Sequence, residues 1–362
     1  MEIAVLGGGN GAYAAAADLA EAGHAVRFWR RDEGAFAPVI ESGSVGLRDV
    51  KGTRRVPLSL VTTDIAAALL GAELVVVPLP ATAQAGMADL MAPHLEDGQV
   101  VFLPPGTFGS YWMARRIRDR GNTRRLIFAE TGTLPWLARM SAHDTVTITV
   151  RATRLPTGVF PASAGEAAFP VLERAFPAVE RLSDALDGAL MNAGPIIHPP
   201  LILMNAGPLE AAKGDFDIHN EGTQPAIRAV TTALDAERMA VRTAFGYGPP
   251  HFPLADHYDP AGEEWMYGRA AHERLVESQG WREPVDLRRH RYMREDVVIG
   301  LAFLISAGAW AGVFCPVASS LLTLAGVILD EDLRRGLRTM EAMALSDLTR
   351  GELTRLLRDG LS

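Results

Sequence analysis

Six residues, Gly7-Gly8-Gly9-Asn10-Gly11-Ala12, stand between the apolar run Met1 to Leu6 and an alanine-rich amphipathic stretch from Tyr13 to Glu21 that stops at Ala22-Gly23. Apolar run, glycine turn and helix-period stretch read as strand, turn and helix. The turn fits G-x-G-x-x-A through Gly7, Gly9 and Ala12. In that pattern the first position makes a tight turn, the second lets backbone approach a pyrophosphate, and the third packs helix on strand, while the helix N-terminus attracts negative charge. Gly7, Gly9, Asn10, Gly11 and Ala12 are therefore the expected dinucleotide-binding residues.

The alternation continues along the chain. Further strands are expected at Ala25 to Trp29, Leu74 to Val77, Val100 to Leu103, Leu126 to Ala129 and Val146 to Val150, several separated by helix-length segments. Repeated βα units imply a parallel sheet covered on both faces. The expected fold is thus α/β, an N-terminal Rossmann-type doubly wound parallel sheet over 1–184, followed by an all-α catalytic domain over 185–362. Ligands of such sheets lie beyond the carboxyl ends of the strands. There the loops Pro78-Leu79-Pro80, Pro104-Pro105-Gly106-Thr107 and Glu130 to Pro135 are candidate walls, or ordinary turns.

The end of the second strand bears on the coenzyme. An NAD site usually has Asp or Glu about 20 residues beyond the glycines to hold the ribose 2′-hydroxyl. Here the stretch is Arg27-Phe28-Trp29-Arg30-Arg31, with no carboxylate before Asp32. The guanidiniums of Arg30 and Arg31 suit a 2′-phosphate, so NADP(H) is favoured over NAD(H).

Composition excludes several classes. The 362 residues are 48% apolar and 22% charged, ordinary for a globular protein. A formal net charge of −8 offers no broad cationic surface for nucleic acid. Of the 35 basic residues all but Lys51 and Lys213 are arginine, so a single arginine is weak evidence of function. Residues 297–329 carry no charge, yet Gly312 and Pro316 cut the run into pieces too short to span a bilayer, and buried helices rather than membrane spans are expected. The single cysteine, Cys315, forms no internal disulfide, and the start has no basic n-region, so the cytoplasm is the expected address.

Two constellations lie in the helical half. One is Asn192-Ala193-Gly194-Pro195-Ile196-Ile197-His198-Pro199-Pro200, continuing to Asn205. A histidine among apolar residues is more often packed than catalytic. The other is His290-Arg291-Tyr292-Met293-Arg294-Glu295-Asp296, leading into the uncharged run. A carboxylate drawn toward a buried surface needs a partner, and an imidazole would serve, although the separation of Asp296 from His198 cannot show contact. His251, His257 and His272 form no metal-ligand pattern, so no metal is expected. Trp265-Met266-Tyr267 and Trp281 read as core. The stretch from Asp330 onward reads as an amphipathic surface helix or a homodimer contact.

These elements together resemble the opine dehydrogenases of octopine/nopaline type, over almost the whole length. The matching points are GGGNGA at 7–12, ETGTLPWLAR at 130–139, NAGPIIHPPLILMNAG at 192–207 and HRYMREDVVIGL at 290–301. The resemblance implies a His198/Asp296 acid–base dyad, Arg291 binding a substrate carboxylate, and substrate contacts from Thr131 and Asn205. It implies reductive condensation of an amino acid's α-amino group with an α-keto acid to give an N-(carboxyalkyl)amino acid. The Trp29-Arg30-Arg31 strand end departs from the acidic or neutral residue of many such enzymes and bears on the coenzyme alone. Two alternatives stand beside it. Ketopantoate reductases, glycerol-3-phosphate dehydrogenases and 3-hydroxyacid dehydrogenases share the domain order but centre on a lysine, for which Lys213 is the candidate. A non-catalytic NADP(H)-binding sensor would need only the glycine turn.

Overall fold

The computed structural model describes residues 1–259, 261–269, 271 and 284–361; His272 and Trp281 lie outside them. The chain forms two compact units, Met1–Ala189 with Arg355–Ser362, and Leu190–Thr354.

The first unit carries the strands β1 (Glu2–Leu6), β2 (Ala25–Trp29), β3 (Ser44–Asp49), β4 (Gly52–Pro57), β5 (Leu60–Thr62), β6 (Leu74–Val76), β7 (Val100–Leu103), β8 (Ile127–Thr131), β9 (Trp136–Ala142), β10 (Thr145–Arg151), β11 (Leu155–Phe160) and β12 (Val179–Arg181). Eight of them form the main sheet, in the order β12-β11-β8-β7-β6-β1-β2-β5. From β5 to β8 every pairing is parallel, with Ile3 opposite Val26 on one side and Leu74 on the other. Ile3, Ala4, Val5 and Leu6 are completely buried, as expected of a strand covered on both faces. Beyond β8 the direction reverses, because β11 pairs with it antiparallel.

The expected strand at 146–150 exists as part of β10, but not in the parallel sheet. It belongs to a second sheet, β4-β3-β10-β9, whose pairs are antiparallel except β3 with β10. The helix Asn10–Glu21 contacts strands of both sheets, and Tyr13 to Ala17 are all buried. Its run of alanines has that physical reason: a helix pressed on several sides has room for little more than a methyl group.

Among the described residues the second unit is helical, with no strand. The uncharged run becomes the end of a π-helix, Tyr292–Leu301, then the helices Ala302–Ala311 and Pro316–Leu329, interrupted at Gly312 with φ +80°. No helix among the described residues is long and apolar enough to cross a membrane. Trp265, Met266 and Tyr267 are buried. The helix expected from Asp330 begins only at Arg350, and its Leu353 and Leu357 are buried within the protein's own fold.

Candidate functional site

In the first unit the glycine turn has the geometry its sequence demands. Gly7 holds φ +143°, a conformation that L side chains rarely adopt, and a Cβ there would press on Leu79 and Ala12. Gly9 precedes the helix in extended conformation. A Cβ on Gly9 would meet nothing within 4 Å among the described residues, so the backbone is open to a ligand's phosphates at the position the motif assigns to them. Gly11 packs against Leu134 and Pro78, where a side chain would need space that the two strand-end loops already fill. The Asn10 side-chain oxygen accepts from the Met140 backbone N–H at 2.9 Å, fastening the turn to β9. These residues fit a pyrophosphate held by backbone amides at a helix N-terminus.

Arg30 lies over the turn. Its guanidinium donates to the Tyr13 hydroxyl at 3.0 Å and the Ala35 carbonyl at 3.1 Å, and its stem fills the space a side chain on Gly8 would occupy. Arg31 is exposed. A cation therefore stands at the end of β2, where a ribose-binding carboxylate is the usual feature.

The loop reading of Glu130-Thr131 is corrected, because β8 runs through Thr131. Glu130 is fully buried and accepts from the Phe108 N–H at 2.8 Å, the Ser110 N–H at 3.3 Å and the Ser110 hydroxyl. It neutralises the N-terminus of the helix Gly109–Asp119 and thereby holds the loop before it. Thr131 is fully buried, its hydroxyl donating to the Pro156 carbonyl at 2.8 Å.

In the second unit the two separated constellations meet. His198 Nδ1 lies 2.7 Å from Asp296 Oδ2, with the imidazole side chain 14% exposed and the carboxylate 6%. His198 stands on the helix Gly194–Met204, which continues through Pro199 and Pro200. Asp296 stands in the middle of the π-helix, a rare geometry frequently found at functional sites. Two glycines permit the approach. A side chain on Gly300 would collide with Pro195, and one on Gly194 would collide with Asp296 Oδ1. The carboxylate thus sits at a helix N-terminus, where the backbone dipole favours negative charge.

Burial nevertheless pushes the Asp296 carboxyl up to about 7, opposed by the nearby positive charges of Arg291 and His290. Arg291 is exposed, with its guanidinium carbon 4.8 Å from the centre of the Tyr292 ring. His198, Asp296 and Arg291 form one group. Asn205 supports it from below, its amide donating to the Leu201 carbonyl at 2.9 Å and the Gly222 carbonyl at 3.1 Å.

Two residues of this group escaped the sequence reading. The Tyr292 ring stacks on the His198 ring with centres 3.7 Å apart and planes within 9°. The Tyr292 hydroxyl is 2.9 Å from His219 Nε2. Tyr292 falls among charged residues between His290 and Asp296, with no local signal of a contact to His198. His219 has no local pattern at all. Beside the group, a largely apolar cavity of about 180 Å³ is walled by Ile197, Leu201, Ile227, Leu254 and Tyr258, with Arg228 and Asp259 also lining it.

Comparison with known proteins follows the same division. Residues 181–329 match the model described as NAD/NADP octopine/nopaline dehydrogenase, alpha-helical domain, and residues 2–104 match the N-terminus of NAD-dependent glycerol-3-phosphate dehydrogenase. The chain is 27% identical over 352 residues to an opine dehydrogenase of Arthrobacter sp. (strain 1C), covering 96% of each. It is 26% identical over 369 residues to vitopine synthase of Allorhizobium ampelinum, covering 95% of each. The fold is that of octopine dehydrogenase, solved with NADH and agmatine, at a TM-score of 0.73 and 18% identity over 99% of this chain and 98% of that one. With a nucleotide-binding unit of Rossmann type and a helical part that matches the octopine/nopaline dehydrogenase domain, the chain is similar over nearly its whole length to opine dehydrogenases.

Proposed function

We propose that this protein is an NAD(P)H-dependent opine dehydrogenase that joins the α-amino group of an amino acid to the carbonyl carbon of an α-keto acid and reduces the product to a secondary amine. The contact of His198 Nδ1 with Asp296 Oδ2 carries this reading. In this reading Nδ1 is held by the carboxyl group and Nε2 exchanges protons with substrate.

The amine adds to the keto carbon as the carbonyl oxygen takes a proton from His198 Nε2, and the nitrogen of the adduct returns a proton to the same imidazole. That proton is then delivered to the carbinolamine hydroxyl, which leaves as water and gives a protonated C=N bond. Asp296 holds the ring tautomer and offsets the charge of the imidazolium at each step. Arg291, exposed beside the dyad, holds a substrate carboxylate, in bidentate fashion where the fork aligns. When bound, the reduced nicotinamide supplies the hydride that converts C=N to C–N. The turn Gly7, Gly9, Asn10, Gly11 and Ala12 would receive its pyrophosphate, with the backbone open at Gly9 and with Gly11 and Ala12 giving the close packing, and Arg30 and Arg31 would favour the 2′-phosphate of NADP(H). Thr131 and Asn205 act in this reading through the backbone they brace. The apolar cavity beside the His198 helix suits an amino acid with an aliphatic or aromatic side chain.

The lysine-centred alternative has Lys213 as its candidate, and that residue is exposed at the end of the helix Ala206–Ala212 with φ +49°. This supports a solvated helix end. The test is NADPH and NADH oxidation over a panel of amino acids with pyruvate, glyoxylate and 2-oxoglutarate, with His198→Ala beside the parent. Oxidation that requires both amine and keto acid, and is lost in His198→Ala with nucleotide binding retained, is expected. Oxidation with a keto acid alone overturns the reading in favour of the lysine scheme, and no oxidation with any pair leaves a nucleotide-binding sensor.

A further inference from the structure

Two aromatic rings pack against the imidazole, and a third packs against one of them. Tyr292 is 1% exposed and lies flat against His198. His219 meets the Tyr292 hydroxyl through Nε2 and turns its ring edge-on to His198, with centres 6.0 Å apart and planes at 81°. His290 stands edge-on to the Tyr292 ring, with centres 4.5 Å apart.

The segment bearing His219 is itself braced. The Asp217 side chain accepts from the backbone N–H groups of His219 and Asn220, at 3.1 and 3.0 Å, and from the Asn220 amide at 2.8 Å. The Thr223 hydroxyl donates to the His219 carbonyl. Asn205 ties Gly222 to the helix that carries His198. A side chain on Gly222 would collide with the Ile218 carbonyl and approach the Asn205 amide, so the turn closes only without one.

We infer that Tyr292 and His219 are a positioning pair for His198: the Tyr292 ring fixes the plane of the imidazole, and His219, gripping the tyrosine hydroxyl, fixes the ring that does so. The contact with Asp296 acts at the edge of the imidazole, through Nδ1, whereas the flat aromatic face at 3.7 Å acts on the plane of the ring and opposes its turning about Cβ–Cγ. Because proton transfer needs Nε2 within hydrogen-bond reach of the substrate oxygen, the pair acts on turnover and not on binding.

The kinetic arm of the test rests on the opine reading; a second arm does not. Tyr292→Leu is expected to lower kcat by about 30- to 100-fold with substrate KM values near those of the parent. Tyr292→Phe keeps the stack and loses only the link to His219, so kcat is expected to fall by about 2- to 10-fold. His219→Ala should match it, and the double variant Tyr292→Phe/His219→Ala should be no worse than either. In parallel, the ring protons of His198, assigned by comparison with His198→Gln in protein carrying labelled histidine, should show the upfield ring-current shift of a stacked phenol. That shift should survive in Tyr292→Phe and vanish in Tyr292→Leu. Parent-like kcat in a folded Tyr292→Leu, losses that multiply in the double variant, or His198 protons indifferent to Tyr292→Leu would each overturn the inference. If no amine and keto acid pair is turned over, the opine reading fails while the ring-current measurement still decides the positioning.

Discussion

Gly194 and Asp296 share a space that holds only one side chain. A methyl group on residue 194 would collide with Asp296 Oδ1, so the absence of a side chain at the start of one helix is what seats the carboxylate of another. The same seat brings Oδ2 to His198. Gly194→Ala should therefore displace the dyad without touching substrate, lowering kcat by about 10- to 100-fold. Steady-state kinetics beside a nucleotide-binding titration checks this, and unaltered kcat would show that the seat is looser than the geometry implies.

The pH dependence of stability has a defined sign at Asp296. Its carboxyl is raised from 3.8 to about 7 in the folded protein, so between these values the folded state binds more protons than the unfolded one. The associated stability is fully present below the unfolded value and is lost as pH rises through the folded one. Relative to Asp296→Asn, the parent should lose thermal stability between about pH 4 and pH 8. Melting the two proteins across that range tests it, and parallel curves would count against a shifted carboxyl.

Arg291 is exposed next to the dyad, and its role as a carboxylate clamp makes a separable prediction. Arg291→Ala should raise the KM of the carboxylate substrate by about 10- to 100-fold through loss of a charged hydrogen-bonded pair. Arg291→Lys should recover part of the loss, because an ammonium keeps the charge but not the fork. Equal KM in all three proteins would place the carboxylate elsewhere.

The coenzyme preference is expected to follow the end of β2. Arg30→Ser/Arg31→Ser should reduce the ratio of kcat/KM for NADPH over NADH by about 10-fold or more. A ratio unmoved by the pair of substitutions would mean that the 2′-phosphate is not read by these guanidiniums.

The local chemistry of this protein is written in its sequence, and its encounters are not. The turn at 7–12 was legible because each requirement, a positive φ at Gly7, an open face at Gly9 and a close contact at Ala12, is met by residues adjacent in the chain. The parallel strands and the helical second half were legible for a like reason, since hydrophobic periodicity is a short-range pattern. Pairing is not short-range, and the placement of 146–150 in a separate sheet with β3 and β9 depends on partners far along the chain. His198, Tyr292 and His219 become neighbours only when the π-helix lies against the helix Gly194–Met204, with Gly194 and Gly300 allowing the approach. Sequence determines which groups a chain can bring to a reaction, while the packing of whole elements decides which of them face one another, because a contact energy is realised only after the backbone between the partners has been ordered.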